Sequence, residues 1–417
     1  MSLIKATILS SYSTLINVVS KLVINKLLAI YVGPAGYSII GQFQNFIAMM
    51  SAIGTAGVSS GVTKLTAEFA NDKSKQVNIW STSFALGFLM SIIAGMIVAF
   101  FSDDISKRLF ADEIYSQVVF AFALIIPLIA AYTLTISILT GLQQFKISTH
   151  ISVTYSLLSM LTAGLGAVYF GLSGVLYSLI VTYIVASLFT LFIFIRREAI
   201  KVKIAVLRID PHFAKLLLAF TVMSIITSIT APLSSLYIRQ NLIVQYGLHD
   251  TGMWDAMNRI SAMMMLFIVA PLNMYLLPKL AGLKSKDDIT SEILEIYKLG
   301  IPIIIISLTL IYFLRGEIVL ILFSKDFYPM ESLFGAQLIG DFFKSISLVI
   351  SYYFLSKSML REFVAMEVFS QILLVCLTVF MTSNSESIES AVVAYTLTSA
   401  TCTALYALIF LGLRRDG

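Results

Sequence analysis

Long apolar stretches separated by short polar segments divide the chain into candidate membrane spans. Residues 27–63 and 147–195 contain no charged side chain, and each run is long enough for one or two helices of about 20 residues. The Gly-Pro-Ala-Gly string at 33–36 and the Gly-Leu-Ser-Gly string at 171–174 predict tight turns between spans. The pattern predicts twelve spans, at about 5–31, 37–70, 78–101, 115–140, 147–169, 173–195, 212–245, 252–282, 292–314, 331–356, 362–383 and 389–413.

The same pattern of residues occurs twice, about 215 positions apart. Gly36 recurs as Gly252, each at the start of an apolar run, and the stretch Leu-Phe-Ala-Asp-Glu-Ile-Tyr at 109–115 recurs as Leu-Phe-Ser-Lys-Asp-Phe-Tyr at 322–328. A duplicated set of membrane helices is typical of transporters whose two halves move about a shared site. The predicted fold class is therefore an all-α polytopic membrane protein with about 12 transmembrane helices in two pseudo-symmetric six-helix bundles.

Domain boundaries and orientation follow from the repeat and from the charges. We predict an N-terminal bundle at 1–195, a cytoplasmic linker at 196–211, which is the longest polar connection, and a C-terminal bundle at 212–417. Lys and Arg concentrate on the side that carries the linker, and cytoplasmic loops are enriched in these residues, so both termini are predicted to be cytoplasmic. The short amphipathic segments 103–114 and 316–328 are expected to lie in the outer interface.

Composition narrows the function classes. Hydrophobic residues make up 58% of the 417 positions and charged residues 12%, against roughly a quarter charged in soluble chains. The net charge of +5 does not indicate nucleic-acid binding, because most of the basic residues lie at membrane boundaries. Cys376 and Cys402 have no metal-ligand spacing, so neither a metal site nor a cofactor is predicted. Catalytic motifs and large loops are absent from the sequence, which gives no support to an enzyme.

Basic residues inside the predicted spans are the main functional signal, because each costs about 2.5–3.5 kcal/mol at mid-helix. Lys21 lies deep in the first span and shares a helix face with Asn17. Lys26 lies nearer the outer end, and Arg239 and Arg259 lie in the corresponding spans of the second half. We expect the four cations to line one water-filled cavity that binds phosphate oxygens. A structural role for Lys21 and a Lys26 that extends to the interface are the alternatives.

Acidic residues inside the spans are predicted to couple transport to an ion. Asp255 lies one turn before Arg259, a spacing that allows an ion pair within the helix. Asp341 lies near the middle of the tenth span with Lys344 three residues later, and Glu367 lies in the eleventh span. A membrane-embedded carboxylate binds a proton or sodium, so Asp255, Asp341 and Glu367 are candidates for ion coupling, with internal ion pairing as the alternative.

Two uncharged polar residues are candidates for sugar binding. Gln42 lies near the start of the second span, and Asn258 occupies the corresponding position of the repeat. Amide side chains hydrogen-bond sugar hydroxyls, and hydrogen bonds between neighbouring helices are the alternative role.

Several strings along the chain carry a resemblance to a known family: Lys-Leu-Leu-Ala at 26–29 before the turn at 33–36, Gly-Val-Thr-Lys at 61–64, Tyr-Leu-Leu-Pro at 275–278 and Gln-Leu-Ile-Gly-Asp at 337–341. They resemble the Wzx-type polysaccharide flippases of the MOP (MATE-like) superfamily, the group that includes common-antigen and O-antigen translocases. The resemblance extends over essentially the whole chain.

This resemblance implies a V-shaped pair of six-helix bundles with a cationic cavity in the bacterial inner membrane. It implies a flippase that carries undecaprenyl-diphosphate-linked oligosaccharide from the cytoplasmic to the periplasmic leaflet by alternating access. By the same likeness, Lys21, Lys26 and Arg259 serve the diphosphate. The implied partners are this lipid-linked glycan, the bilayer, a polysaccharide polymerase and a chain-length regulator.

Three other functions stay open on the sequence. A MATE-like cation-coupled exporter of drugs or metabolites favours an acidic cavity, whereas the deep charges here are mostly basic. A membrane glycosyltransferase or glycan polymerase needs a sizeable outer loop, and no loop here exceeds about 18 residues. A scaffold for envelope assembly would tolerate neutralisation of the deep charges.

Overall fold

Helices make up nearly all of the chain that the computed structural model describes, which is residues 3–110, 112–196, 209–283, 285–357 and 359–415. No β-strand occurs within these ranges. The helices are α1 (Leu3–Tyr31), α2 (Gly33–Gly54), α3 (Ser59–Glu68), α4 (Lys73–Phe100), α5 (Ser102–Phe110), α6 (Ser116–Gly141), α7 (Phe145–Arg196), α8 (Pro211–Pro271), α9 (Leu277–Gly282), α10 (Lys286–Phe313), α11 (Arg315–Leu322), α12 (Phe334–Ser356), α13 (Leu360–Thr382) and α14 (Glu389–Arg415).

The long helices correspond to the predicted spans. Among the described residues, seven helices are long and apolar enough to cross a membrane, and an eighth span results if the bent pair α2 and α3 counts as one. Gly171 in α7 (φ 57°) and Gly247 in α8 (φ 80°) interrupt the helical backbone. Their positive φ angles lie in the left-handed region, which glycine adopts without strain. With α7 and α8 divided there, each of the twelve predicted segments has its helix. The all-α polytopic membrane fold is confirmed.

The second predicted span is broken, which corrects the prediction of one helix at 37–70. α2 and α3 meet at 49°, and the residues between them include Ala56 (φ 52°) and Gly57 (φ 63°) in the left-handed region. A Cβ atom on Gly57 would lie 2.6 Å from the Ile225 side chain, so this approach requires glycine. Apolar periodicity did not register the break because the residues around it are themselves small or apolar.

Contacts between helices divide the chain into two compact units. The first unit consists of Met1–Val32 and Ile39–Leu233, and the second of Gly33–Ser38 and Ser234–Gly417. Within the first unit, α1 packs along α7 and α6 packs against α4 and α7; within the second, α12 packs against α10 and α14. Residues 197–208 of the predicted linker lie outside the described residues, and the domain boundaries stay a prediction.

The described residues of the repeated stretches at 109–115 and 322–328 have similar local structure, each within its own unit. Each begins at the end of a short helix, α5 or α11, with a buried phenylalanine: Phe110 is 2% exposed and Phe323 is 0% exposed. Each then enters a 3₁₀-helix, Glu113–Tyr115 or Lys325–Leu333. The duplication read from the sequence is therefore also present in the backbone.

Candidate functional site

Polar residues follow one face of α1 in the first unit. Asn17 Nδ2 donates to Ser152 Oγ at 3.2 Å, and Ser156 Oγ donates to Asn17 Oδ1, so α7 holds this face. Lys21 lies one turn further and is exposed, and no hydrogen bond or ion pair involves its ammonium group within the described part of the chain. Lys26 is half-buried and has interaction partners. Lys21 is therefore a deep cation that is available to an anionic ligand.

Arg239 and Asp255 form a buried ion pair in the second unit. Arg239 Nε donates to Asp255 Oδ2 at 2.7 Å, and a second guanidinium nitrogen donates to Oδ1. The side chains are almost closed to solvent, at 5% and 4% exposure, and the guanidinium carbon lies 5.8 Å from the centre of the Trp254 ring. Because the two residues lie on opposite sides of Gly247, the pair joins the two halves of α8.

This pair bears on two predicted roles. Helical spacing predicts Arg259 as the partner of Asp255, whereas both carboxylate oxygens accept hydrogen bonds from Arg239. Removing one member of a buried pair costs about 3–5 kcal/mol because the other charge loses its partner. The structure thus gives Arg239 and Asp255 a structural role in α8, beside the ligand and ion-coupling roles predicted from their position in the sequence.

Arg259 lies over an aromatic cluster at the start of α2. Its guanidinium carbon is 4.5 Å from the centre of the Tyr37 ring. Tyr37 is fully buried and meets Phe323 and Phe327 edge-to-face, with ring centres 5.7 and 5.5 Å apart. Such a cation–π contact stabilises by about 0.5–2 kcal/mol and holds one face of the guanidinium. The N–H donors lie along the edge of the guanidinium, where arginine binds phosphate or carboxylate oxygens.

Close backbone packing brings Tyr37 to Arg259. A Cβ atom on Gly252 of α8 would lie 1.8 Å from the carbonyl oxygen of Pro34. Only glycine fits at this position, since any side chain would displace the start of α2. Gly252 is one of the residues that recur in the repeat. In the structure it is the point where α8 contacts residues 33–38, which belong to the same second unit.

Asp341 of α12 is a fully buried carboxylate whose hydrogen-bond partners are neutral. Ser261 Oγ donates to its Oδ2 at 2.7 Å, and the Tyr395 hydroxyl donates to its Oδ1 at 2.8 Å. Gln337 Nε2 donates to Ser261 Oγ at 2.8 Å, which directs the serine hydrogen towards the carboxylate. Lys344 lies over the Tyr395 ring at 5.8 Å, and among the described residues no ion pair joins it to Asp341. The charge of Lys344 still acts on Asp341 without a direct contact, and internal pairing of the two residues stays a prediction.

The remaining predicted residues have separate surroundings. Asn258 Nδ2 donates to the Trp254 carbonyl of its own helix at 3.0 Å. Gln42, in the first unit, is 1% exposed and has interaction partners, and Glu367 in α13 is half-buried. Their roles in sugar binding and ion coupling stay predictions. No group of three or more His, Cys, Asp or Glu is placed to hold a metal within the described ranges.

Aromatic residues are the part of these sites that sequence reasoning missed. Tyr37 supports Arg259, Trp254 lies beside Arg239, and Tyr395 donates to Asp341. No local motif links these pairs.

The chain is similar to known membrane proteins in sequence and in fold. A family model described as polysaccharide biosynthesis protein matches residues 3–284. The lipid III flippase of Escherichia coli (strain K12) is 29% identical over 368 residues, which cover 88% of each chain, and the lipid III flippase of Shigella flexneri matches equally well.

Solved structures of transporters share the fold. The inward-facing conformation of a multidrug resistance MATE family transporter of the MOP superfamily has a TM-score of 0.79 at 14% identity, covering 98% of this chain and 99% of that one. A MOP superfamily transporter from Pyrococcus furiosus has a TM-score of 0.70 at 14% identity, covering 97% and 94%. At these identities the likeness shows the fold alone.

Proposed function

Because the chain belongs to the polysaccharide biosynthesis protein family, we propose that it is a flippase for undecaprenyl-diphosphate-linked oligosaccharide. It moves this substrate from the cytoplasmic to the periplasmic leaflet of the bacterial inner membrane by alternating access. The family match over residues 3–284 confirms the resemblance that the sequence strings indicate. The relatives that match over 88% of their length are themselves named lipid III flippases, which supports a common-antigen or O-antigen repeat unit as the glycan.

The exposed ammonium group of Lys21 is the observation that carries this proposal. It lies about 15 Å from the end of α1 by helical rise, and it has no counter-ion among the described residues. A cation inside an apolar span normally faces a partner or a water-filled cavity. The diphosphate of the lipid carrier supplies the missing negative charge, and Lys26 of the same unit also binds it. Arg259 is a further candidate for binding phosphate oxygens.

Asp341 is the residue we assign to ion coupling. Its carboxylate is buried among Ser261, Tyr395 and Gln337, all of which are neutral. The charge of Asp255, by contrast, is already offset by Arg239. A buried carboxylate whose hydrogen-bond partners are all neutral favours binding of a proton or sodium, and Glu367 is the second candidate.

The proposed setting follows from the charge pattern of the sequence. Both termini are cytoplasmic, because the Lys-rich and Arg-rich loops face the cytoplasm. The translocated glycan then becomes available to a polysaccharide polymerase and a chain-length regulator in the periplasmic leaflet. As a transporter the protein forms and breaks no covalent bond of its substrate, so the proposal includes no enzymatic activity and no cofactor.

Complementation tests the proposal directly. A bacterial strain that lacks its own glycan flippase regains surface glycan when it expresses the wild-type chain. Lys21→Ala and Arg259→Ala are expected to lower surface glycan at least about tenfold, since each removes a charge-assisted contact worth about 1.5–3 kcal/mol. Arg315→Ala is the matched control, because Arg315 also lies 4.5 Å over a tyrosine ring, that of Tyr312, but at the end of α10.

Full glycan in both Lys21→Ala and Arg259→Ala would contradict the proposal. A cation-coupled drug exporter, the alternative left by the sequence, predicts a different outcome. The wild-type chain would then lower drug susceptibility without restoring glycan, and loss of Lys21 would leave drug export intact.

A further inference from the structure

Three tyrosines of the first unit form a row of adjacent rings. Tyr132 of α6 stacks on Tyr155 of α7, with ring centres 6.0 Å apart and ring planes at 29°. The centre of the Tyr155 ring is in turn 5.7 Å from that of Tyr183, in the second half of α7, and their planes are at 56°. We call these three residues the tyrosine row. It connects α6 with both halves of α7.

The tyrosine row differs from the aromatic core of the same unit. In that core, Phe43 contacts Phe110 and Phe122 with ring centres 5.8 and 5.5 Å apart, and all three side chains are at most 2% exposed. The rings of the tyrosine row are only partly buried, and each carries a hydroxyl group. The Tyr155 and Tyr183 hydroxyls hydrogen-bond each other, so the row holds polar groups that the phenylalanine core lacks. A partly exposed row of tyrosines is suited to a ligand that has both apolar and polar faces.

The row lies deep in the membrane-spanning part of its helices. Tyr155 is ten residues after the start of α7, and Tyr183 is 13 residues before its end. Each tyrosine is therefore roughly 15–20 Å from the nearer end of α7 along the helix axis. At this depth a polar group needs a protein partner or a water-filled cavity. Tyr155 and Tyr183 are such partners for each other, and the partial exposure of the row leaves part of its surface open to a ligand.

Hydroxyl and amide groups adjoin the row. Ser152 and Ser156 lie three residues before and one residue after Tyr155 on α7, and both bond to Asn17 of α1. Residues three or four apart lie on one face of a helix, so Ser152 and Tyr155 point in the same general direction. The row and its neighbours thus combine ring faces with donors and acceptors that suit hydroxyl groups.

Lys21 lies close to this surface. Asn17 of α1 contacts Ser156 of α7. Ten residues further along α1, Leu27 lies beside Gly164 of α7, since a Cβ atom on this glycine would lie 3.0 Å from the Leu27 side chain. Both contacts advance along the two helices together, so α1 and the first half of α7 run side by side in the same direction. Lys21 is therefore level with the turn that follows Ser156, about one helical turn beyond Tyr155.

We propose that the tyrosine row binds the pyranose ring that adjoins the diphosphate of the lipid-linked oligosaccharide; this rests on the proposed function. One face of a pyranose presents C–H groups that pack on an aromatic ring, while its hydroxyls hydrogen-bond tyrosine, serine and asparagine. With the diphosphate at Lys21, the first sugar is joined to the terminal phosphate through its anomeric oxygen, and the row lies about one helical turn away along α7. The row makes the protein select the glycosylated carrier over bare undecaprenyl diphosphate.

Binding to two carriers tests this site. The full-length protein in lipid nanodiscs is titrated with undecaprenyl diphosphate that bears one N-acetylhexosamine, and separately with undecaprenyl diphosphate alone. The wild type is expected to bind the sugar-bearing carrier about tenfold more tightly. Tyr155→Leu and Tyr183→Leu bring this ratio close to one and leave the affinity for the bare carrier unchanged, which also shows that the variants are folded.

Tyr177→Leu is the matched control. Tyr177 lies on the same half of α7 as Tyr183 and is 39% exposed. Among the described residues its ring makes no contact with the tyrosine row. Its ratio is expected to equal that of the wild type. If Tyr155→Leu or Tyr183→Leu loses affinity for both carriers, Tyr132→Leu is tested in its place. The same fall in the ratio of the two affinities is expected for Tyr132→Leu.

Two results overturn the proposal in distinguishable ways. A wild type that binds both carriers equally, or row variants that keep the wild-type ratio, would refute the tyrosine row and leave the flippase proposal standing. A wild type that binds neither carrier would refute the flippase proposal itself.

Discussion

The two copies of the duplicated helices carry different chemistry at matching positions. In the first unit, Phe43 packs on Phe110, and both are buried. In the second unit, the position 216 residues later is Arg259, which lies over Tyr37, and Tyr37 packs on Phe323, the counterpart of Phe110. The repeat keeps the buried phenylalanine of each copy, whereas the residue that aligns with Phe43 has changed from apolar to cationic. Duplication preserves packing, and function lies in the residues that diverge.

Deep charges are also handled differently in the two units. Lys21 in the first unit has no counter-ion among the described residues. In the second unit, Arg239 is paired with Asp255, and Asp341 is held by hydroxyl groups. We therefore expect the first unit to contribute more to binding the anionic head and the second unit to couple transport to an ion.

Breaking the Arg239–Asp255 pair is the largest expected perturbation of the second unit. Arg239→Ala is expected to lower the free energy of unfolding by about 3–5 kcal/mol, because Asp255 becomes a buried charge without a partner. Thermal unfolding of the purified protein measures this loss. Arg239→Met combined with Asp255→Leu should recover most of it, since a buried pair replaced by apolar residues is often neutral. A double variant as unstable as Arg239→Ala would contradict a purely structural role.

Removing the charge of Asp341 separates coupling from substrate binding. In proteoliposomes, the wild type is expected to translocate the lipid-linked glycan faster when a proton or sodium gradient is imposed. Asp341→Asn keeps the size of the side chain and removes its charge, so translocation should no longer respond to either gradient, while substrate affinity is unchanged. Glu367→Gln is the matched comparison, and gradient dependence lost in that variant alone would move the coupling role to Glu367.

Tyr37 provides the smallest and most specific change. Tyr37→Leu removes the ring beneath Arg259 and is expected to weaken binding of undecaprenyl diphosphate about two- to fivefold, the size of one cation–π contact. Tyr37→Phe keeps the ring and should bind like the wild type. Equal affinities in Tyr37→Leu and the wild type would show that the ring does not position Arg259 for the ligand.

Much of the fold could be predicted from the sequence, because a span needs only a long apolar run and a turn signal. The break near Gly57 was missed, since it depends on contact with Ile225 from a distant helix. The same limit applies to the sites. Charged residues inside spans are visible in the sequence, but their partners, such as Tyr395 for Asp341, lie on other helices at no fixed spacing.

The central claim is that deep cations bind the diphosphate of the carrier, and the affinity of the purified protein for undecaprenyl diphosphate tests it most directly. Lys21→Ala is expected to weaken this affinity at least about tenfold, because it removes one charge-assisted contact. Lys21→Arg is expected to keep the wild-type affinity. Lys75 is an exposed residue at the start of α4, and Lys75→Ala is expected to have no effect. Wild-type affinity in both Lys21→Ala and Arg259→Ala would contradict the claim.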